Sequence, residues 1–371
     1  MFAKGQSIIQ LMEELAPKHY AVADDKIGLQ LGTLNKEVLN VLVALDVTEE
    51  VVDEAIRLQA NLIIAHHAII YRPLSHLQTD TPAGRLYEKL IKHDIAVYIA
   101  HTNLDVAEGG VNDMMAEALG LSGLSPLEDI HTDRLKKLVV FIPEDHLDKV
   151  RQALFQAGAG WIGQYSHCSF NIEGTGTFVP ESGSEPFIGK QGKLEQVKEV
   201  RLETIIPQSI ERKAIQAMLK AHPYEEVAYD LYQLDLKGRS FGLGRVGKLD
   251  EAVTLQELCE RVKQAYDVPV VRLVGDPGKA VRKIAVLGGS GSRYVRHALF
   301  AGADVLITGD IDYHTAQDAL AAGLTIIDPG HNVEKILKQG VADYLRRKLQ
   351  EKKSDTQVIA SQIDTEPFRF V

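Results

Sequence analysis

The chain has 371 residues, 45% of them hydrophobic and 25% charged, which is the composition of a globular protein of roughly two or three domains and excludes disorder. A formal net charge of −10 and a sequence pI near 5.7 exclude a general nucleic-acid or membrane-surface binder, because phosphate-rich partners demand a concentrated basic face. Cys168 and Cys259 supply neither a disulfide framework nor a thiolate metal cluster, and no window approaches the ~20 apolar residues of a membrane span, so a reducing, cytoplasmic setting is expected.

Residues 8–15 read as a short amphipathic helix stopped by Pro17, followed by the loop Asp25-Lys26-Ile27-Gly28-Leu29-Gln30-Leu31-Gly32. Residues 41–45 form a strand ending in Asp46-Val47-Thr48, 49–59 a helix, and 62–65 a buried strand that ends in His66-His67. A helix over 84–93 and a strand over 96–100, closed by His101-Thr102-Asn103-Leu104-Asp105, complete an alternation that predicts a parallel sheet covered by helices. After about Thr132 the pattern changes to strand 136–142, helix 144–157, strand 168–178, strand 199–206, helix 209–221 and strand 227–234, with a Gly, Ser and Pro-rich loop over 180–192. That βαββαβ order is the ferredoxin-like split unit and predicts an inserted domain, in which Trp161, Tyr165 and Phe170 are expected to be core. The first alternation resumes after Gly238: helix 254–265, strand 283–287, turn Gly288-Gly289-Ser290-Gly291, helix 294–300, strand 305–308 ending in Gly309-Asp310, helix 314–322 and strand 324–327. Asp328-Pro329-Gly330-His331-Asn332-Val333-Glu334 then leads into a last helix over 334–351, a polar stretch and the apolar end Phe368-Arg369-Phe370-Val371.

Three strand ends therefore carry metal-capable side chains: His66 with His67, Asp105, and His331 with Glu334. Sites in open α/β sheets gather beyond the carboxyl ends of strands. Neighbouring residues on an extended chain point to opposite faces, so His66 and His67 suit two ions better than a chelate on one. His331 and Glu334, three residues apart at a helix entry, would share a face with Cβ atoms about 5–6 Å apart. Imidazole and carboxylate donors without thiolate suit zinc, manganese, iron(II), cobalt or nickel. Five ligands are too few to close two tetrahedral shells, which leaves the open positions of a catalytic site. Two dications against two carboxylates favour a bridging hydroxide and an anionic substrate. The plainer alternative for each residue is a solvated or capping side chain at a strand end.

Other signals are weaker. Gly242-x-Gly244-x-x-Gly247 matches a dinucleotide fingerprint as a string, but 248–253 separate it from the next helix, so it reads as a tight turn that brings Arg245 near the site. The turn 288–291 is either a plain turn or one whose amides hold an anion. His101 and His314 are candidate proton donors or partners that orient ligands, and Glu108 a candidate relay or a solvated loop carboxylate.

The Asp25-to-Gly32 loop, Ala65-His66-His67, His101-Thr102-Asn103-Leu104-Asp105, Gly242-Leu243-Gly244-Arg245-Val246-Gly247, Thr308-Gly309-Asp310 with His314, and Gly330-His331-Asn332-Val333-Glu334 together resemble the NIF-three-like family, often labelled GTP cyclohydrolase I type-two homologues. The resemblance covers residues 1–132 and 239–371 and implies one α/β domain in two halves, its central sheets flanked by helices. It implies a dinuclear centre with ligands matching His66, His67, Asp105, His331 and Glu334, two divalent transition-metal ions per chain (zinc foremost, manganese or iron as alternatives) and a ring-shaped homohexamer. Residues 133–238, ending in His222-Pro223-Tyr224-Glu225-Glu226-Val227-Ala228-Tyr229-Asp230, resemble a CutA-like or PII-like insert. The expected activity is metal-dependent hydrolysis of a phosphorylated or nucleotide-like substrate by a bridging hydroxide, with His101 or His314 protonating the leaving group. The competing expectation is a regulatory, ligand-sensing ring that the metals merely stabilise, with metal storage or delivery as a third.

Overall fold

The computed structural model describes residues 1–369, so Phe370 and Val371 of the apolar end lie outside the described residues. Its elements run in chain order from β1 (Ala3–Lys4), α1 (Gly5–Leu15), β2 (Gly28–Leu31) and β3 (Glu37–Val38) to β4 (Asn40–Ala44), α2 (Glu49–Arg57), β5 (Ala60–Ala65), α3 (Pro82–Lys92) and β6 (Ala96–Ile99). There follow α4 (Thr102–Val106), α5 (Val111–Ala118), β7 (Ser122–Pro143), α6 (Leu147–Gln156), β8 (Ser169–Phe178), β9 (Glu195–Pro207), α7 (Glu211–Ala221) and β10 (Tyr229–Thr254). The remainder is α8 (Leu255–Ala265), β11 (Arg272–Val274), β12 (Ala280–Ser290), α9 (Val295–Phe300), β13 (Val305–Gly309), α10 (Tyr313–Ala321), β14 (Thr325–Asp328), α11 (Ile336–Glu351) and β15 (Gln357–Ala360). Two units emerge: residues 1–131 with the segment from Phe241 onward, and Thr132–Ser240.

In the first unit, β15, β4, β5 and β6 are parallel and β2 closes the edge antiparallel to β6. The central strands are almost wholly apolar because both faces are covered, as parallel strands require. Val41 and Val43 turn into one core with Ile8, Leu11 and Leu345, while Leu42 and Ala44 turn into the other with Val51, Val52 and Leu90, as the two-residue strand period dictates. Thr48 caps α2 by accepting from Val51 N, and Thr81 caps α3 by accepting from Gly84 N, so each helix has a fixed start. A second set of parallel strands, β12, β13 and β14, is flanked by antiparallel β11 and by β10, where Arg245 stands opposite Val286.

The second unit runs strand, helix, strand, strand, helix, strand, with β9 antiparallel to both β7 and β8. Leu138, Val140, Ile142, Leu202 and Ile206 face Val150, Leu154, Ala214 and Met218 of α6 and α7. Trp161, Tyr165 and Phe170 are not part of this core: they are 57%, 75% and 65% exposed. Phe170 lies opposite Glu203, whereas the core residue Leu202 is opposite Asn171, so Phe170 points to the sheet face away from α6 and α7.

Several local expectations change. The 25–32 loop contains β2, and α4 follows His101 directly, with α5 after it. The polar stretch after α11 hides β15, whose partner β4 lies at the far end of the sequence. Gly242 to Gly247 form no tight turn; they lie within β10, where Gly244 has φ +64° and a Cβ would meet Leu127 Cβ and Val286 O, each at 2.9 Å. Arg245 consequently turns into a buried pair with Asp113 and does not reach the histidines (Nε to Oδ1 2.6 Å, Nη2 to Oδ2 2.8 Å).

Candidate metal centre

The histidine pair is fixed by its backbone before any side chain acts. The amides of His66 and His67 both donate to Leu45 O, at 3.1 and 3.0 Å, which holds the dipeptide at the carboxyl ends of β4 and β5. One strand further, Ala100 N donates to Ala65 O, so His101 emerges beside the pair, and Asp105 follows on α4. From the other sheet, β14 ends at Asp328, Gly330 turns with φ +88°, and a 3-10 helix over His331–Lys335 carries the remaining two groups. An α-helical start was expected here; in a 3-10 helix residues i and i+3 eclipse, which stacks His331 directly on Glu334.

Each imidazole has its Nδ1 tied down. His66 donates to Ala100 O at 2.8 Å, His67 to Asp46 at 2.7 Å, His101 to Asp25 at 2.8 Å and His331 to Asp310 at 2.7 Å. A carbonyl or ionised carboxylate only accepts, so in each neutral ring the lone pair belongs to Nε2. Those nitrogens converge. His67 Nε2 lies 3.2 Å and His331 Nε2 3.3 Å from Glu334 Oε2, while His66 Nε2 is 3.7 Å from Glu334 Oε1 and 3.6 Å from Asp105 Oδ1. Three overlapping ligand sets result, each with donor atoms within 4.8 Å of one another: His66, His67 and His101; His67, His331 and Glu334; and His66, Asp105 and Glu334.

Two atoms at the centre, His66 Nε2 and Asp105 Oδ1, are buried and have no hydrogen-bond partner. Unpaired polar atoms at this depth cost about 1–3 kcal/mol each unless something else binds them. A divalent cation fits both. Gly288 and Gly289 leave the room: a Cβ would sit 3.0 Å from Glu334 Oε1 at the first, and at the second, where φ is +65°, 2.7 Å from Glu334 Oε1 and 3.3 Å from His331 Nε2. The glycines expected to form a turn thus close one wall of the site.

The electrostatics of the cation-free site are those of carboxylates seeking positive charge. Burial opposes protonation of His67, but its bonds to Asp46 and Glu334 raise its pKa to about 10. His331 is raised to about 9 by its bond to Glu334, against burial. Burial pushes Asp105 up to about 6, with the Glu334 charge adding to it, whereas the surrounding imidazoles hold Glu334 well below its usual range despite burial. Burial also opposes ionisation of Asp25, but hydrogen bonds from His101 and Thr102 outweigh it and keep that carboxylate charged.

All five residues expected as ligands are therefore neighbours, and His101 joins them with its Nδ1 held like the others. His314 does not: it is exposed on the first turn of α10, its ring 5.5 Å from that of Tyr313, and it belongs to none of the clusters. Sequence reasoning passed over Asp25, Asp46 and Asp310 as partners. Each stands just beyond a strand or beside one that ends in a histidine, and a carboxylate there was the available signal.

Fold and site together define an α/β protein whose two halves jointly build a cluster of imidazoles and carboxylates able to hold metal. A family model described as Duf34/NIF3 (NGG1p interacting factor 3) matches residues 3–367, and the chain belongs to that family. A Halalkalibacterium halodurans protein named GTP cyclohydrolase 1 type 2 homolog is 57% identical over 369 residues, covering 100% of this chain and 99% of its own. A Bacillus subtilis protein of the same name is 55% identical over 367 residues, covering 99% and 98%. The crystal structure of a Bacillus cereus protein related to NIF3 has a TM-score of 0.94 at 56% identity and covers 100% of both chains. No helix among the described residues is long and apolar enough to cross a membrane.

Proposed function

We propose that the chain is a dinuclear-metal-dependent hydrolase acting on a phosphorylated or nucleotide-like substrate. The observation that carries this reading is the shared orientation of four imidazoles, each anchored through Nδ1 and presenting Nε2 to the space around Asp105 and Glu334. Metal-binding histidines are characteristically oriented by such acceptors. We assign His66, His67, Asp105, His331 and Glu334 as ligands, and place His101 with them rather than as a proton donor. Divalent ions held there, zinc foremost, would supply Lewis acidity and an acidified water.

The rest is the work of the chain. A cleft of about 930 Å³ reaches His67 and His331 and is lined also by Thr48, Arg272, Asn332 and Arg369. Most of its carboxylates are already engaged: Asp46 with His67, Asp310 with His331, and Asp328 with Arg272 and the amides of Ile311 and Gly330. The Arg272 side chain is 65% exposed while that pair holds it in place. Arginines so placed favour a phosphate, as does the name shared by the relatives. A cytoplasmic homohexamer belongs to the same reading.

The deciding experiment assays metal-loaded protein on GTP and a panel of phosphate esters, beside chelated protein and Glu334→Gln. Turnover only in the loaded wild type supports a hydrolase. No turnover on any of them, with metal bound, retires the enzyme and favours the regulatory ring, for which the separate inserted unit with its own cavity is the supporting observation.

A further inference from the structure

The inserted unit holds a cavity of about 420 Å³ that the proposed hydrolase has no use for. Its walls are aromatic: Phe141, Phe178, Phe187 and Tyr224. The Tyr224 ring is met by Phe178 at 6.0 Å and 65° and by Phe187 at 6.4 Å and 52°. Three carboxylates, Glu199, Glu225 and Glu226, share the lining, and none of the lining residues is basic.

The parts are held in place. Glu199 accepts from Tyr224 Oη at 2.9 Å, and Glu225 accepts from Glu185 N at 3.0 and 3.2 Å, which draws the 180–192 loop against the cavity. Gly176 leaves room for Glu199: a Cβ there would lie 2.2 Å from Glu199 Oε2, so a side chain at 176 would push the carboxylate from this position. The nearby nitrogens have partners of their own. His222 donates from Nε2 to Phe141 O at 3.0 Å and accepts at Nδ1 from Tyr224 N at 3.1 Å, which is the neutral tautomer. Arg201, whose guanidinium lies 5.9 Å from the Phe141 ring centroid, pairs with Glu203 at 3.0 Å, and His146, whose ring is 5.4 Å from that of Phe187, pairs with Asp145 at 2.8 Å.

An aromatic pocket attracts apolar groups, ring faces attract positive charge, and a lining with carboxylates and no basic residue repels anions. We propose that this cavity binds a small alkylammonium cation, its methyl or methylene groups against the four rings and its charge balanced by Glu199 and Glu226. The ligand is thus opposite in charge to the substrate proposed for the metal centre. The inserted unit would recognise a second small molecule in its own right.

The test is calorimetric titration of full-length protein with choline and tetramethylammonium, beside the uncharged carbon isostere of choline (a dimethylbutanol) and inorganic phosphate. Choline should bind at least about tenfold more tightly than the isostere, and phosphate should not bind the inserted unit. Glu199→Gln and Tyr224→Leu should each weaken choline about tenfold, and Gly176→Ala should do so by displacing the Glu199 carboxylate, all with unchanged metal content. Circular dichroism establishes that each variant folds, and the comparison of choline with its isostere needs no variant. Absence of binding by either cation, equal affinity for the isostere, or unchanged affinity in folded Glu199→Gln and Tyr224→Leu would each overturn the assignment.

Discussion

The most direct probe of the metal centre leaves every ligand in place and alters only what aims them. In Asp46→Asn the shape is kept and the charge behind His67 is lost. Asp46 holds His67 Nδ1 at 2.7 Å and is itself held by Thr365 Oγ1, so it is a rigid acceptor with little freedom to be replaced by solvent. Asp310 holds His331 Nδ1 at the same 2.7 Å but is more open, its side chain 46% exposed against 32% for Asp46. Removing an orienting carboxylate characteristically weakens metal affinity by about 10–100-fold, or roughly 1.4–2.7 kcal/mol. Solvent screens the more exposed charge, so Asp46→Asn should fall near the upper end of that range and Asp310→Asn near the lower. Competition for zinc against a chromophoric chelator measures both. An affinity in Asp46→Asn within about twofold of wild type would refute the argument that these carboxylates orient ligands. A larger loss in Asp310→Asn would refute the ranking by burial.

The pH dependence follows from the raised histidines. Their protonated forms stabilise the metal-free fold fully below the unfolded histidine value near ~6.5, and that stabilisation is lost as pH rises through the folded values of about 9 for His331 and about 10 for His67. Chelated protein should therefore melt at lower temperature as pH rises through that window, while metal uptake, which must expel those protons, tightens; thermal melts with and without chelator check both, and a flat metal-free profile counts against the site. Gly289→Ala should destabilise by more than ~1 kcal/mol and lose metal, because it combines a positive φ with a Cβ 2.7 Å from Glu334 Oε1; metal analysis of the folded fraction reads it. Arg245→Met should cost about 3–5 kcal/mol in urea unfolding by stranding the buried Asp113 carboxylate. Arg245→Lys should recover little of it, since an ammonium cannot form the paired bonds of a guanidinium.

Much of this molecule was legible because its chemistry sits at the ends of apolar runs. The strand before His66 and His67 has no polar residue from Leu62 to Ala65, and that run alone places the imidazoles at the edge of a buried sheet. The partnership of Glu334 with His66 needed the resemblance to a family, since no local pattern joins residues 267 or more positions apart. What stayed hidden was whatever depends on a distant neighbour. Val358 reads as part of a polar tail until β4 is beside it. Gly244 reads as a turn until the crowding by Leu127 and Val286 shows why a strand needs a glycine there. Phe170 reads as core because aromatic residues bury the most surface, yet it lies on the sheet face opposite to Leu202 and the two helices.

The pairing of β15 with β4 has a consequence for how the molecule is made. Asn40, beside Ala60 on one side, acquires its other neighbour only when Gln357 has been translated, and Thr365, which steadies Asp46, comes later still. A nascent chain with its first histidines already outside the ribosome therefore carries an exposed edge along β4 and half of a metal site until residues more than 300 positions later have been made. The ligand sets that include Glu334 can close only after both halves of the chain have been made, and any chain ended prematurely before β15 leaves that edge open to aggregation.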